Sequence, residues 1–305
     1  MVLFLKVMNF FLIMIPVLVN VAFVTLMERK ILGYCQYRKG PNKVSFVGLL
    51  QPFSDALKLL TKETVFLWSS NYKMYLFMPA LSLFTSMMLW VSFPFFYQLQ
   101  NLSVSWVFLM MIMSVGVYPL LLSGWSSNSH YSYLGSIRAT AQTISYEVSI
   151  SLIIFIVMLT SLSLTLESTN KFVGEFNVFM MFPFVLLLWF MSCLAETNRS
   201  PFDFSEGESE LVSGFNTEYG GAGFAMIFMA EYMNILFLSG ITSSFLFCPK
   251  SLMFFIFLTF VSFFWIWARA TYPRHRYDFL MMLSWKSIMP FLLFLIMVLL
   301  VILPL

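Results

Sequence analysis

Carboxyl groups are the residues of this sequence most able to do chemistry, because many of them stand in apolar surroundings. Six carboxylates and one arginine occur within the 23 residues of segment 196–218, although only 10% of the chain is charged. The six acids are Glu196, Asp203, Glu206, Glu208, Glu210 and Glu218. Acids this close cannot all ionise cheaply, so their protonation is expected to be coupled. Phe202, Phe204 and Phe215 lie among them and favour partial burial over a solvated acidic loop.

Two further carboxylates are predicted to lie at membrane depth. Glu147 follows Arg138, the first residue of a predicted span, by nine positions, which is about 13 Å along a helix. Glu231 follows Glu218 by 13 positions, or about 20 Å. An ionisable side chain at such a depth costs about 2.5–3.5 kcal/mol and usually faces a bundle interior or a hydrated path. These acids therefore predict proton movement, although a structural carboxylate held by a neighbouring Tyr or Ser is the alternative.

The elements that position these acids are predicted to be membrane-spanning helices. Of the 305 residues, 60% are hydrophobic, which leaves too few polar residues to cover a soluble fold. This composition, with a net charge of only +3, excludes a soluble enzyme, a disordered chain and a nucleic-acid binder. Eight segments are long enough to cross about 30 Å of hydrocarbon: 2–27, 72–93, 102–124, 138–164, 177–197, 218–246, 251–271 and 282–304. The sequence thus predicts one all-α integral membrane domain over residues 1–305.

The basic residues predict how this domain is oriented. Four predicted loops lie on one side of the membrane, here called the basic side: 28–71, 125–137, 198–217 and 272–281. Of the 17 Lys and Arg residues, all except Lys6, Lys171 and Lys250 fall in or beside these loops. The positive-inside rule then assigns the basic side to the cytoplasm or the matrix, and both termini to the other side.

The loop 28–71 is predicted to contain an amphipathic helix that lies in the membrane interface. Its apolar face is formed by Phe46, Leu49, Leu50, Phe53, Leu57 and Leu60. This helix either anchors the surface or covers a lateral opening between spans. The three cysteines, at positions 35, 193 and 248, are far apart and predict neither an iron–sulfur cluster nor a zinc site. No cofactor or metal is therefore expected on this chain.

Several long motifs resemble the quinone-chamber membrane subunits of NADH:ubiquinone oxidoreductase, respiratory complex I. They occur in segments 28–43, 48–63, 124–148, 195–219, 230–232 and 272–278. Examples are Glu28-Arg29-Lys30-Ile31-Leu32-Gly33, Ser145-Tyr146-Glu147-Val148 and Ala195-Glu196-Thr197-Asn198-Arg199-Ser200-Pro201-Phe202-Asp203. The resemblance covers nearly the whole chain.

This resemblance implies a subunit without a redox centre of its own. Ubiquinone would be the substrate, and FMN and iron–sulfur clusters would be held by partner subunits of the membrane and peripheral arms. The implied partners also include phospholipids but no nucleic acid, and the implied location is the mitochondrial inner membrane, with the long loops in the matrix. The implied quinone-chamber residues are Arg29, Arg199, Phe202, Phe215 and Arg274. The implied proton path comprises Glu147, Glu196, Asp203, Glu206, Glu208, Glu210, Glu218 and Glu231.

Three other functions are compatible with parts of the pattern. The equivalent subunit of a membrane-bound hydrogenase would also need a proton path, but no quinone. A stand-alone proton channel would not need the large, charged loops on the basic side. A purely structural anchor for redox partners would not need acids at membrane depth.

Overall fold

A computed structural model describes residues 2–64, 68–93, 102–175, 182–204, 207, 211–249 and 251–302, with residues 2–7 and 172–175 as backbone only. Within these ranges the chain is helical and contains no strand, which confirms the predicted all-α fold class. The helices are α1 (Val2–Cys35), α2 (Gln51–Thr61), α3 (Tyr72–Val91), α4 (Ser105–Ser126), α5 (His130–Ser161), α6 (Leu166–Glu175), α7 (Pro183–Glu196), α8 (Gly221–Leu246), α9 (Leu252–Thr271) and α10 (Tyr277–Ile302).

Among the described residues, seven helices are long and apolar enough to cross a membrane, namely α1, α3, α4, α5, α8, α9 and α10. The eighth predicted span, 177–197, corresponds to α7, which has only 14 residues, while residues 176–181 lie outside the described part. The predicted loop 165–176 instead contains α6, whose first backbone N–H donates to Ser105 Oγ at 2.7 Å. Leu166 and Thr169 are buried under the bundle, which explains a helix in a segment with little apolar pattern.

Helices α5 and α8 form the centre of the bundle. In their most apolar windows 56% and 61% of the residues are buried, against 22–33% in the other five spans. Helix α5 packs on α4, α7 and α10, and α8 packs on α3, α9 and α1. The deep acids Glu147 and Glu231 therefore belong to the two most enclosed helices.

Helix α1 continues eight residues past its predicted end at residue 27. The sequence predicts the boundary directly before Glu28, because a charge usually marks a span end. Glu28 is buried with cationic partners in the fold, so the helix has no reason to end there. It ends before Tyr37, which has a left-handed φ of 57°.

Helix α2 is the predicted interfacial helix, and it begins with Pro52 in its first turn. Phe53, Leu57 and Leu60 are exposed on one face, whereas Phe46 lies in a separate short turn before the helix. An ion pair of 2.5 Å between Arg29 and Asp55 connects α2 with the end of α1.

Candidate functional site

A buried charge cluster connects four parts of the chain on the basic side. Its members are Glu28 in α1, Arg199 after α7, Tyr232 in α8 and Arg269 in α9, here called the Glu28 cluster. The Glu28 carboxylate accepts hydrogen bonds from Tyr232 Oη at 2.5 Å, from Arg199 Nη1 at 3.3 Å and from Arg269 Nη1. The Arg199 guanidinium also lies over the Tyr232 ring, 4.7 Å from its centroid. One buried carboxylate thus faces two cations, of which Arg199 is largely buried and Arg269 is partly exposed.

The end of α7 turns Arg199 into this cluster. Asn198 has a left-handed φ of 50°, a conformation that asparagine tolerates. The chain reverses there, and the Arg199 backbone N–H donates to the Leu194 carbonyl at 3.3 Å. Burial alone lowers the pKa of Arg199, but Tyr232, Glu28 and Glu231 together raise the pKa above its usual value. Arg199 therefore stays cationic and links the Glu28 cluster to the deep acid Glu231.

A second group of polar residues surrounds the last residue of α7. Glu196 is close enough to Glu147 of α5 for their charges to interact. Glu196 also lines a cavity of about 70 Å³, here called the polar cavity, between α3, α4, α5, α7 and α8. The other polar residues of its lining are Thr85, Ser86, Thr143, Thr197 and Asn234. Glu196 Oε2 and Asn234 Oδ1 are buried and have no hydrogen-bond partner among the described residues.

The polar cavity is suited to hold water. A water molecule needs roughly 10–15 Å³ of such volume and two to four polar partners, so this space accommodates several. Glu196 Oε2 and Asn234 Oδ1 are buried acceptors without a donor among the described residues, and water in the cavity would donate hydrogen bonds to them. Carboxyl groups that share water can exchange protons along it.

The segment after Arg199 packs against the loop between α9 and α10. Asp203 is 7% exposed and pairs with Arg274, with Oδ2 and Nη2 3.5 Å apart. Phe202 is buried between the rings of Tyr146 and His275, at centroid distances of 6.3 and 5.7 Å. The acidic and the basic loops thus neutralise each other in part at this contact.

Glu218 lies further along, before α8, and is half-buried. Its backbone carbonyl accepts from Tyr75 Oη at 2.7 Å, and the Tyr75 and Tyr219 rings stack at 4.4 Å. Tyr219 Oη donates to the Ser123 carbonyl at 3.3 Å. Burial raises the pKa of Tyr219 to about 12, so this phenol is a neutral donor at physiological pH.

The structure brings some of the predicted site residues together and separates others. Glu196 interacts with Glu147, and Arg199 with Glu231, so both deep acids lie near the end of α7. Phe215 packs instead in a separate core with Tyr75 and Tyr219, and Arg29 is exposed and points to α2. Glu206, Glu208 and Glu210 lie outside the described residues.

Sequence reasoning gave no site role to Glu28, Tyr232 or Arg269. Glu28 and Arg269 stand at span ends, where charged side chains ordinarily reach the interface. Their contact joins residues 241 positions apart, which no local pattern reveals. The sequence signals for Glu28 were its place directly before Arg29 and Lys30 and its membership of the motif from Glu28 to Gly33.

An apolar groove of about 540 Å³ runs along α1 and α9. On α1 its lining extends from Leu12 to Met27, which is about 22 Å along the helix. Trp90, Phe93 and Phe254 contribute aromatic side chains. Met27, the last lining residue on α1, directly precedes Glu28 in the sequence.

The family model and the relatives that match this chain have related names. The family model described as NADH dehydrogenase matches residues 8–300. The protein named NADH-ubiquinone oxidoreductase chain 1 of Aedes aegypti is 54% identical over 285 residues, which are 92% of this chain and 90% of the relative. The proteins of the same name from Locusta migratoria and Notoryctes typhlops are 49% and 45% identical, over 94% and 93% of this chain and 92% of each relative.

Proposed function

This chain belongs to the NADH dehydrogenase family, and from that premise we propose that it is a core membrane subunit of the mitochondrial NADH:ubiquinone oxidoreductase. We propose further that it forms part of the chamber through which quinone reaches its reduction site. Its buried carboxylates would couple quinone reduction to proton translocation. The single observation that carries the coupling role is the arrangement around the end of α7. There, Glu196 shares an electrostatic interaction with Glu147 and lines the polar cavity with an unpartnered oxygen.

The proton path would run through α7, α5 and α8. Glu196 and Glu147 influence each other's charge, so a proton added to one changes the proton affinity of the other. On the other side of Glu196, water in the polar cavity would bridge to Asn234 on α8. Glu231 lies on the same helix and interacts with Arg199, so the charge of the Glu28 cluster affects its titration.

The quinone would approach from the lipid. Its isoprenoid tail is apolar and would require an apolar passage, and the groove along α1 and α9 has such a lining. Arg199 and Arg274 are the cations of the predicted chamber that lie beside buried acids, Glu28 and Asp203 respectively. The FMN and iron–sulfur clusters that deliver electrons would belong to partner subunits of the membrane and peripheral arms, and phospholipid would surround the spans.

Coupling follows from the stoichiometry of quinone chemistry. Reduction of a quinone to a quinol consumes two electrons and two protons. Protons drawn from groups near Asp203 leave negative charge beside the acids of segment 196–218. Because these acids titrate together, the change would pass to Glu196, Glu147 and Glu231. With the basic loops in the matrix and both termini in the intermembrane space, this proton uptake would occur on the matrix side.

Neutral substitutions of the deep acids test this function. In the assembled complex, Glu147→Gln and Glu231→Gln are expected to lower coupled NADH:ubiquinone turnover, by up to about a hundredfold, because each removes a group that exchanges protons. The measurement is the proton-to-electron ratio in proteoliposomes, together with a native gel that reports assembly.

Glu167→Gln is the matched control. Its carboxylate forms an exposed ion pair with Lys171 at 3.7 Å on α6, away from the polar cavity. It should leave both the rate and the ratio unchanged. Normal rates and normal ratios in both deep variants would refute the proposed coupling role.

A further inference from the structure

Gln142 of α5 holds the segment that carries Glu196 and Arg199. Its side chain is completely buried, and its single amide nitrogen donates to two backbone carbonyls, those of Ala195 at 2.8 Å and Phe202 at 2.7 Å. The two carbonyl oxygens are thus at most about 5.5 Å apart, which is the sum of the two bond lengths. Seven residues of extended chain would span up to about 24 Å. One side chain therefore closes this segment into a tight loop.

The loop closed by Gln142 contains the groups on which the proposed function depends. Glu196 is the next residue after Ala195, and Arg199 lies between the two bonded carbonyls. Glu196 Oε2, Asn198 Oδ1 and Arg199 Nη2 are buried and have no hydrogen-bond partner in the described part of the chain. The positions of Glu196 and Asn198 therefore depend on the backbone that carries them, whereas Arg199 is also held by its Nη1 bond to Glu28.

Other directed contacts attach the loop to other elements: the His275 N–H donates to the Pro201 carbonyl at 3.1 Å, and Arg199 pairs with Glu28 of α1. They do not hold both ends of the loop against α5. The Asn198 and Arg199 backbone N–H groups bond within the turn at the end of α7, so they fix its shape but not its place against α5. The ring contact between Phe202 and Tyr146 is apolar and tolerates sliding. Gln142 supplies hydrogen bonds of defined direction from the central helix to both ends of the loop.

We infer that Gln142 is a positioning residue for proton coupling: its two hydrogen bonds set the distance of Glu196 from Glu147 and of Arg199 from Glu28. This inference rests on the proposed function. Gln142 itself exchanges no proton and contacts no quinone. Its loss displaces the acids from their partners, and a displacement of about 1 Å costs up to about a hundredfold in rate.

Two substitutions of similar size separate positioning from packing. Gln142→Met removes both donors, and it is expected to lower coupled turnover about tenfold to a hundredfold and to shift its pH profile. Gln142→Glu has one donor, and only while the new carboxyl is protonated. Its coupled rate should therefore recover as the assay pH is lowered, whereas the rate of Gln142→Met should not recover.

Ser149→Ala is the matched control. Ser149 is equally buried on α5, but its one hydroxyl bond within the described part of the chain goes to the Tyr146 carbonyl of its own helix, at 2.7 Å. A redox-difference infrared spectrum adds a direct readout: the carboxyl band that disappears in Glu196→Gln should shift in Gln142→Met and stay in place in Ser149→Ala.

The possible outcomes are distinct. If Glu196→Gln lowers coupling but Gln142→Met has a normal rate and pH profile, the inference about Gln142 is overturned and the proposed function stands. If Glu196→Gln itself leaves coupling unchanged, the proposed function fails. If both Gln142 variants fail to assemble while Ser149→Ala assembles, Gln142 is a structural residue and the inference is likewise overturned.

Discussion

The substitution Glu28→Gln is expected to destabilise the subunit far more than the loss of a typical ion pair. Glu28 lies between two guanidinium groups, and its side chain is 8% exposed. Glutamine keeps the size and an acceptor oxygen but removes the negative charge, which leaves Arg199 and Arg269 facing each other. Removing one partner of a buried pair costs about 3–5 kcal/mol. The cost of Glu28→Gln is expected at the lower end of this range, because Glu231 still interacts with Arg199 and because Arg269 is partly solvated.

The exposures of the two arginines predict how much each contributes to stability. Arg199 is 13% exposed, so its charge has little access to water, whereas Arg269 is 38% exposed and is partly solvated. Arg269→Gln should therefore cost much less than Glu28→Gln, about 1 kcal/mol. Arg29→Gln is the control one residue further along, because its pair with Asp55 has side chains 55% and 34% exposed and contributes about 0–1 kcal/mol.

The assay is urea-induced release of the subunit from the assembled complex, followed on native gels. It is applied to each single variant and to the double variant Glu28→Gln/Arg199→Gln. The double variant removes both buried charges and should be more stable than the sum of the two single effects predicts. Additive single effects, or equal effects of Glu28→Gln and Arg29→Gln, would refute the electrostatic account of the cluster.

Two further predictions concern the packing of the loops on the basic side. Gly135→Ala should destabilise the protein by about 1–3 kcal/mol, because the added Cβ would lie 2.9 Å from Gly214 Cα. Gly116→Ala is the control and should be neutral or stabilising, because its added Cβ would meet no atom within 4 Å. Thermal denaturation measures both variants, and equal effects would contradict the close approach of Gly135 to Gly214. Tyr219 should ionise near pH 12 and not near pH 10, because burial raises its pKa to about 12. Its contribution to stability is then complete below pH 10 and lost as the pH rises towards 12, and Tyr219→Phe should remove both this loss and the late phenolate absorbance.

The membrane-crossing helices were predictable because each needs a long apolar run. Such a run can be recognised within a single stretch of the sequence. The amphipathic helix α2 was predictable in a similar way, from the spacing of Phe53, Leu57 and Leu60. Helix α6 was not, because its sequence is mostly polar and its helical form depends on Leu166 and Thr169 being buried under other helices. Pattern reasoning detects how much of a segment is buried, but not which element buries it.

The same limit applies to the site. Glu147, Glu196 and Glu231 stood out because carboxylates are rare in apolar segments. Gln142 did not stand out, because a neutral amide in a helix gives no such signal. Its two acceptors are backbone carbonyls 53 and 60 residues away. Glu28 and Arg269 were hidden by their places at span ends, where charge is ordinary.

The Glu28 cluster also bears on how the subunit is made. Glu28 leaves the ribosome with the first helix, whereas its partner Arg269 is synthesised 241 residues later. The bond from Arg269 to the glutamate therefore forms only after α9 has been made, which is the sixth of the seven membrane-crossing helices in the described part of the chain. A chain that ends before α9 contains Arg199 but lacks Arg269, so Glu28 then faces one arginine instead of two.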